Sequence, residues 1–249
     1  MARLLAAASS QYLSVADNAA LSPAAMSFSV WVWFVTNVSG SEYGILSKRT
    51  NPGLNSYQLY RDAGNLFTVL YWASVGVVNV GSSAYTGTGA WKHIACTYNS
   101  TDGARLYVDG VADGTAAADG TLVDNADTLR FGDDHYANYL DGRIAEVGIW
   151  NTVLSASEIA ALAARVPPPR IRRGNLNAYW PLYGLGSPEP EYAGSTLNAT
   201  LVNSPTQADH PPTAPAFGFD LGWMGAFTAA AGGADVRKKI VPAYCAVNA

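Results

Sequence analysis

Charge is scarce in this sequence. Only 14% of its 249 residues are Asp, Glu, Lys or Arg, and the formal net charge is −4. So dilute and mild a balance leaves no clustered basic face, which excludes the electrostatic case for nucleic-acid binding. The one basic cluster, Arg165, Arg170, Arg172 and Arg173, flanks a proline run and reads as a solvated linker in preference to a phosphate or protein dock. Cysteine is limited to Cys96 and Cys245. With no CxxC and no close Cys/His spacing, the sequence argues against a zinc site. Cys96 reads as a buried thiol in a strand, or as one half of a bridge to Cys245. The histidines are His93, His135 and His210, none in a Ser-His-Asp context. His93 reads as a satisfied structural residue. No glycine-rich phosphate loop is present. No apolar run approaches the ~18 residues of a membrane-spanning helix. The run Leu4 to Ala8 after Arg3 falls short of a secretory core of ~7–15 apolar residues and leads straight into Tyr12–Val15. It is read as the start of the folded domain, with no export signal.

What is present is apolar: 49% of residues are hydrophobic. Trp91 to Gly110 reads as strands around a polar turn. Trp91, His93, Ala95 and Thr97 point one way; Lys92, Ile94, Cys96 and Tyr98 point the other. Asn99–Gly103 is turn chemistry, and Asp109-Gly110 ends the next strand, Ala104 to Val108, as a hairpin signal. Ser27 to Val35 is apolar on both faces, which suits a strand covered on both sides. Gly44–Lys48, Ser56–Arg61, Asn65–Trp72, Val75–Val80, Leu129–Phe131 and Arg143–Trp150 are further strands; Gly81–Gly89 reads as a small-residue loop. Ser155 and Glu158 form a capping box that starts a short helix, and Pro167–Pro169 stops that helix. Many short strands and one brief helix predict an all-β, two-sheet antiparallel sandwich.

The segments WKHIACTYNSTDGARLYVDG and LDGRIAEVGIWNTVLSASEIAAL, with the opening SSQYLSVADNAALSPAAMSFSVWVWF, resemble the laminin-G-like family over Ser9 to Ala164. That resemblance implies the concanavalin A-like lectin jelly roll, with Tyr12–Val15 as its first strand. A run similar to Ala178–Leu182 and Asn198–Val202 precedes the domain in many relatives. Here it comes after the domain, which is read as a permuted arrangement whose strands return to the sandwich, or as a separate small β-element on a linker. The expected organisation is a core over 1–166, a Pro/Arg-rich crossover over 167–174, returning strands over 175–209, and an extended tail over 210–249. The tail carries Phe217, Phe219, Trp223, Met224 and Phe227. It is read as an assembly device docking on a neighbouring subunit, or as packing on its own domain.

Relatives often use rim loops for Ca²⁺ and sugars. The loop Gly132–Tyr139 offers Asp133, Asp134, His135, Tyr136, Asn138 and Tyr139 as glycan-contacting residues, with Asp133, Asp134 and Asn138 as oxygen ligands for Ca²⁺. Asp124, Asn125 and Asp127 lie in the preceding loop. Asp133, Asp134 and Asn138 read more readily as hairpin-turn residues than as ligands. Ala145 stands where the family often carries Asp, which weakens any transfer of a ligand set. Related glycosidases place paired carboxylates on one strand face, but Arg143–Trp150 holds only Glu146, and Glu189 and Glu191 flank Pro190. The expectation is therefore no enzyme. The resemblance, the start close to strand one and the apolar tail imply a virion structural protein on a tailed-phage surface. Its partners would be other virion proteins or itself, and host glycans, with no nucleic acid and no membrane. The alternative is a carbohydrate-binding lectin module; a glycoside hydrolase is the third reading.

Overall fold

The computed structural model describes residues 1–36, 40–49 and 55–212. Its strands are β1 (Ala2–Leu5), β2 (Tyr12–Val15), β3 (Met26–Phe34), β4 (Tyr43–Arg49), β5 (Asn55–Arg61), β6 (Leu66–Trp72), β7 (Val77–Ala84), β8 (Trp91–Asn99), β9 (Gly103–Val108), β10 (Val111–Ala116), β11 (Leu129–Phe131), β12 (Gly142–Trp150), β13 (Leu176–Trp180), β14 (Ala199–Val202) and β15 (Thr206–Ala208). A helix, α1 (Ala156–Ala163), comes after β12. One sheet has the order β10-β9-β8-β3-β12-β1-β15, with β13 also on β12; the other runs β14-β2-β11-β4-β5-β6-β7. All named pairings are antiparallel. Phe28, Val30, Val32 and Phe34 of β3 meet Tyr57, Leu59, Phe67 and Tyr71 of the facing sheet in one core. Phe28 stacks on Tyr57 with centroids 5.7 Å apart. This is a two-sheet sandwich with its core between the inner faces.

The outer face of the first sheet is also covered. Ile159 and Leu162 of α1 pack with Ala95, Tyr107 and Trp150, and Trp31 packs with Ala2 and Ala145. Burial on both faces explains why β3 reads as a continuous apolar run. Ser155 Oγ accepts from the Glu158 backbone at 3.3 Å, and the Glu158 carboxylate accepts from the Ser155 backbone at 2.8 Å. These reciprocal bonds satisfy donors that the helix itself leaves open.

β12 is the hub. One side pairs with β3; the other pairs with β1 over Gly142–Ile144 and with β13 over Val147–Trp150. The change of partner falls at a bulge between Ala145 and Gly148, where Glu146 has φ 54°. An extra residue there re-aims one side chain and ends one pairing before the next begins. β14 joins β2 at the edge of the second sheet.

Three expectations are corrected. The first strand is β1, not Tyr12–Val15, because Ala2–Leu5 pairs with both β12 and β15. The small-residue run Gly81–Ala84 continues β7 instead of opening a loop. An edge strand with one exposed face needs no bulky side chains there. His93 is structural but not satisfied: it is fully buried, with no partner for either ring nitrogen and the Trp31 ring 5.3 Å away. Cys96 is a buried thiol in the core; Cys245 and the tail residues Phe217, Phe219, Trp223, Met224 and Phe227 lie outside the described residues.

Burial lowers the His93 pKa from 6.5 to about 4, against a smaller opposing pull from Asp109. The folded-state value is depressed, so this group's stabilisation is complete above pH 6.5 and is lost as pH falls to about 4. A shift of that size is on the order of 3 kcal/mol. His93→Gln is expected to flatten the drop in thermal midpoint across that window, followed by circular dichroism. An acid slope as steep as that of the unaltered chain would contradict a buried neutral His93.

Candidate functional site

The segment between β11 and β12 lies against β4 of the second sheet. Gly44 permits this: a Cβ there would stand 2.4 Å from the Asp134 nitrogen. The Gly44 N–H donates to the Asn138 carbonyl at 2.7 Å, and Ser47 Oγ donates to the Asp133 carbonyl at 2.7 Å. The loop is thus stitched to the strand beneath it at two points.

Its two acids are buried, each 1% exposed. Asp133 accepts from Arg130 Nη1 at 2.6 Å and from the His135 N–H at 3.2 Å. Asp134 Oδ1 accepts from the N–H groups of Tyr136 (2.8 Å) and Asn138 (3.2 Å), and its Oδ2 accepts from Asn138 Nδ2 at 2.7 Å. These bonds hold His135 and Ala137 at φ 67° and 65°, a region that non-glycine residues seldom occupy. His135 Nε2 is buried without a partner. Burial first, and the Arg130 charge second, lower the His135 pKa to about 4.

Calcium, which takes six to eight oxygens, does not fit at Asp133, Asp134 and Asn138. A guanidinium already neutralises Asp133, the oxygens of Asp134 accept N–H groups of the same loop, and the Asn138 amide donates to Asp134 and to Glu42 Oε2 (3.1 Å). Among the described residues, no group of three or more His, Cys, Asp or Glu side chains suits a metal.

With its acids turned inward, the loop presents its amide and rings. Tyr136 is 43% exposed; Arg49 lies between its ring (4.2 Å) and that of Trp72 (4.9 Å) and donates to its hydroxyl at 2.6 Å. On the other side, Asn138 and Tyr139 line an open cleft of about 740 Å³ together with Thr36, Glu42 and Asp141. Tyr12 stacks on Tyr139 at 6.2 Å and 22°. Thr36 Oγ1 donates to Asp141 Oδ2 at 2.8 Å. The cleft therefore combines one braced aromatic ring with carboxylate, amide and hydroxyl groups. Sequence reasoning reached Asn138 and Tyr139 but missed Thr36, Glu42, Arg49 and Trp72, which lie far from the loop in the chain. Asp141 stood inside the LDGR motif without being singled out.

The remaining acids have other tasks. Glu146, 1% exposed, accepts from Tyr179 Oη at 2.7 Å and pairs with His210 Nε2 at 3.2 Å. Glu189 is buried against Arg3. Glu191 accepts from the N–H groups of Tyr179 at 2.8 Å and Ser195 at 2.7 Å.

A model of the concanavalin A-like lectin/glucanases superfamily matches residues 7–160. In sequence, the chain is 35% identical over 109 residues to the sushi, von Willebrand factor type A, EGF and pentraxin domain-containing protein 1 of Rattus norvegicus. It is 32% identical over 142 residues to the protein of that name in Mus musculus. These matches cover 39% and 51% of this chain but only 3% and 4% of those proteins. Among solved structures, a putative carbohydrate binding protein from Bacteroides ovatus superposes with a TM-score of 0.63 at 17% identity, over 83% of this chain and 61% of that one. The binding domain of Paraclostridial Mosquitocidal Protein 1 gives 0.50 at 18%, over 61% and 40%. At such identities the likeness speaks for the fold.

Glu42 has its pKa raised, by burial first and then by Asp134 and Asp62, with Arg49 opposing. A carboxyl that binds its proton more tightly folded than unfolded costs stability once ionised, and the cost grows as pH rises through the folded value. Glu42→Gln is expected to raise the thermal midpoint at neutral pH and to leave it unchanged at acid pH, where Glu42 is already protonated. An equal shift at both pH values would contradict this electrostatic origin.

Proposed function

The chain belongs to the concanavalin A-like lectin/glucanases superfamily, and on that footing we propose that it is a non-catalytic carbohydrate-binding module whose site is the cleft beside Tyr139. The observation that carries the reading is the meeting of Tyr139, braced by Tyr12, with Asn138, Glu42, Asp141 and Thr36 in one open cleft. A sugar ring has an apolar face and a rim of hydroxyls. An aromatic ring takes the first; a few fixed acceptors and donors take the second and set orientation. The acidic lining suits a neutral glycan, whose hydroxyls donate to carboxylates. Similarity to a putative carbohydrate binding protein supports the same class of ligand.

The virion-surface reading draws no support from the described residues, and the tail on which it leaned lies outside them. Among the described residues, no helix is long and apolar enough to cross a membrane. A hydrolase reading has one observation in its favour: Glu42, with its raised pKa, shares the cleft with Asp141, and paired carboxylates are what glycoside hydrolysis requires.

The test is a screen of neutral oligosaccharides on the full chain, then titration calorimetry. Tyr139→Ala is expected to weaken the best ligand about tenfold, the equivalent of the ~1.4 kcal/mol that an aromatic contact supplies. Val111→Ala, on an exposed edge strand, is expected to leave affinity unchanged. Affinity indifferent to Tyr139→Ala would place the site elsewhere. Release of sugar that stops with Glu42→Gln would replace binding by hydrolysis.

A further inference from the structure

Lys48 lies on β4, paired across the sheet with Leu129 and Tyr57, and its side chain is fully buried. Four oxygens surround its ammonium: Asp17 Oδ1 at 2.8 Å, Asp124 Oδ1 at 3.5 Å, and the Asn125 carbonyl and Oδ1 at 2.5 and 2.7 Å. Asp17 lies just after β2, and Asp124 and Asn125 precede β11. Segments distant in sequence therefore converge on one charge. The cage is itself organised: Asn125 Nδ2 donates to the Lys48 carbonyl at 3.3 Å, and the Asn125 N–H donates to Asp124 Oδ1 at 2.9 Å.

Carboxylates, a side-chain amide oxygen and a backbone carbonyl form the donor set of a hard divalent cation, which takes them at about 2.3–2.6 Å. An ammonium donates three hydrogen bonds and accepts none, so it satisfies the same oxygens. We propose that this is a cation site whose cation is built into the chain: the Lys48 ammonium holds the Asp17 and Asp124–Asn125 segments in place of Ca²⁺. Both carboxylates are partly open to solvent, at 36% and 51% exposure. Taking away the lysine leaves these two carboxylates, open to solvent, facing the buried carbonyl and Oδ1 of Asn125, the latter also accepting from the Asp127 N–H at 3.3 Å, as a latent divalent site.

The test uses the full chain, with terbium luminescence sensitised by Tyr57 and with thermal melts in calcium or chelator. The unaltered chain is expected to give no terbium signal and one melting midpoint in both solutions. Lys48→Ala is expected to give a saturable signal that calcium displaces, and a midpoint that calcium raises. Lys48→Met, which fills the same space without charge, is expected to show neither. A calcium response in the unaltered chain equal to that of Lys48→Ala, or a folded Lys48→Ala without terbium signal, overturns the proposal. Should Lys48→Ala not fold, reductive methylation read by mass spectrometry decides. Lys48 is expected to be protected in the unaltered chain and labelled about tenfold faster or more in Asp17→Asn/Asp124→Asn. Equal protection in that double variant also overturns it.

Discussion

A charge removed from water must find its partner inside the protein or it destabilises the fold. The loops of this sandwich obey that requirement at every turn. Asp133 is met by Arg130, Asp134 by the amides of its own loop, Lys48 by the oxygens of Asp17, Asp124 and Asn125, and Glu189 by Arg3. The Asp133 and Asp134 contacts fix the fold of one loop, while those of Lys48 and Arg3 join segments distant in sequence. The consequence is a rim whose shape is set by electrostatic satisfaction as much as by strand pairing.

The cleft arises from that arrangement. Once Asp134 has drawn the Tyr136 and Asn138 amides toward itself, Asn138 Nδ2 faces Glu42, and Tyr139 lies against Tyr12. The loop's own hydrogen bonds account for this form. A surface held ready in advance loses little freedom when a ligand arrives, which is the property the proposed glycan site would need. The raised pKa of Glu42 shows the other side of the arrangement: partial burial first, and then the nearby Asp134 and Asp62, disfavour its ionised form.

Much of the fold was legible because it is local or periodic. The alternation in Trp91–Tyr98 reappears with Ile94, Cys96 and Tyr98 in the core and Ala95 under α1. The capping box at Ser155 and the turn at Asp109-Gly110, with φ 49° and 83°, are written in adjacent residues. The site was legible only in part. The loop 132–139 announced itself by its Asp, Asn and Tyr content, yet acids suited to a metal and acids suited to a buried turn look alike in one dimension. Glu42 and Thr36 reach the cleft through sheet topology, and no short-range pattern marks them. Lys48 is an extreme case: a lysine in a strand reads as solvated, and only the meeting of β4 with the segments after β2 and before β11 reveals its cage.

The most direct measurement is amide hydrogen exchange of the full chain by NMR, without sugar and with a chelator present. If Asp134 organises the loop from within, the Tyr136 and Asn138 amides, bonded to its carboxylate at 2.8 and 3.2 Å, exchange slowly under those conditions. Free exchange of both amides that slows only when calcium or a sugar is added would contradict a binding surface formed by the loop's own buried charges.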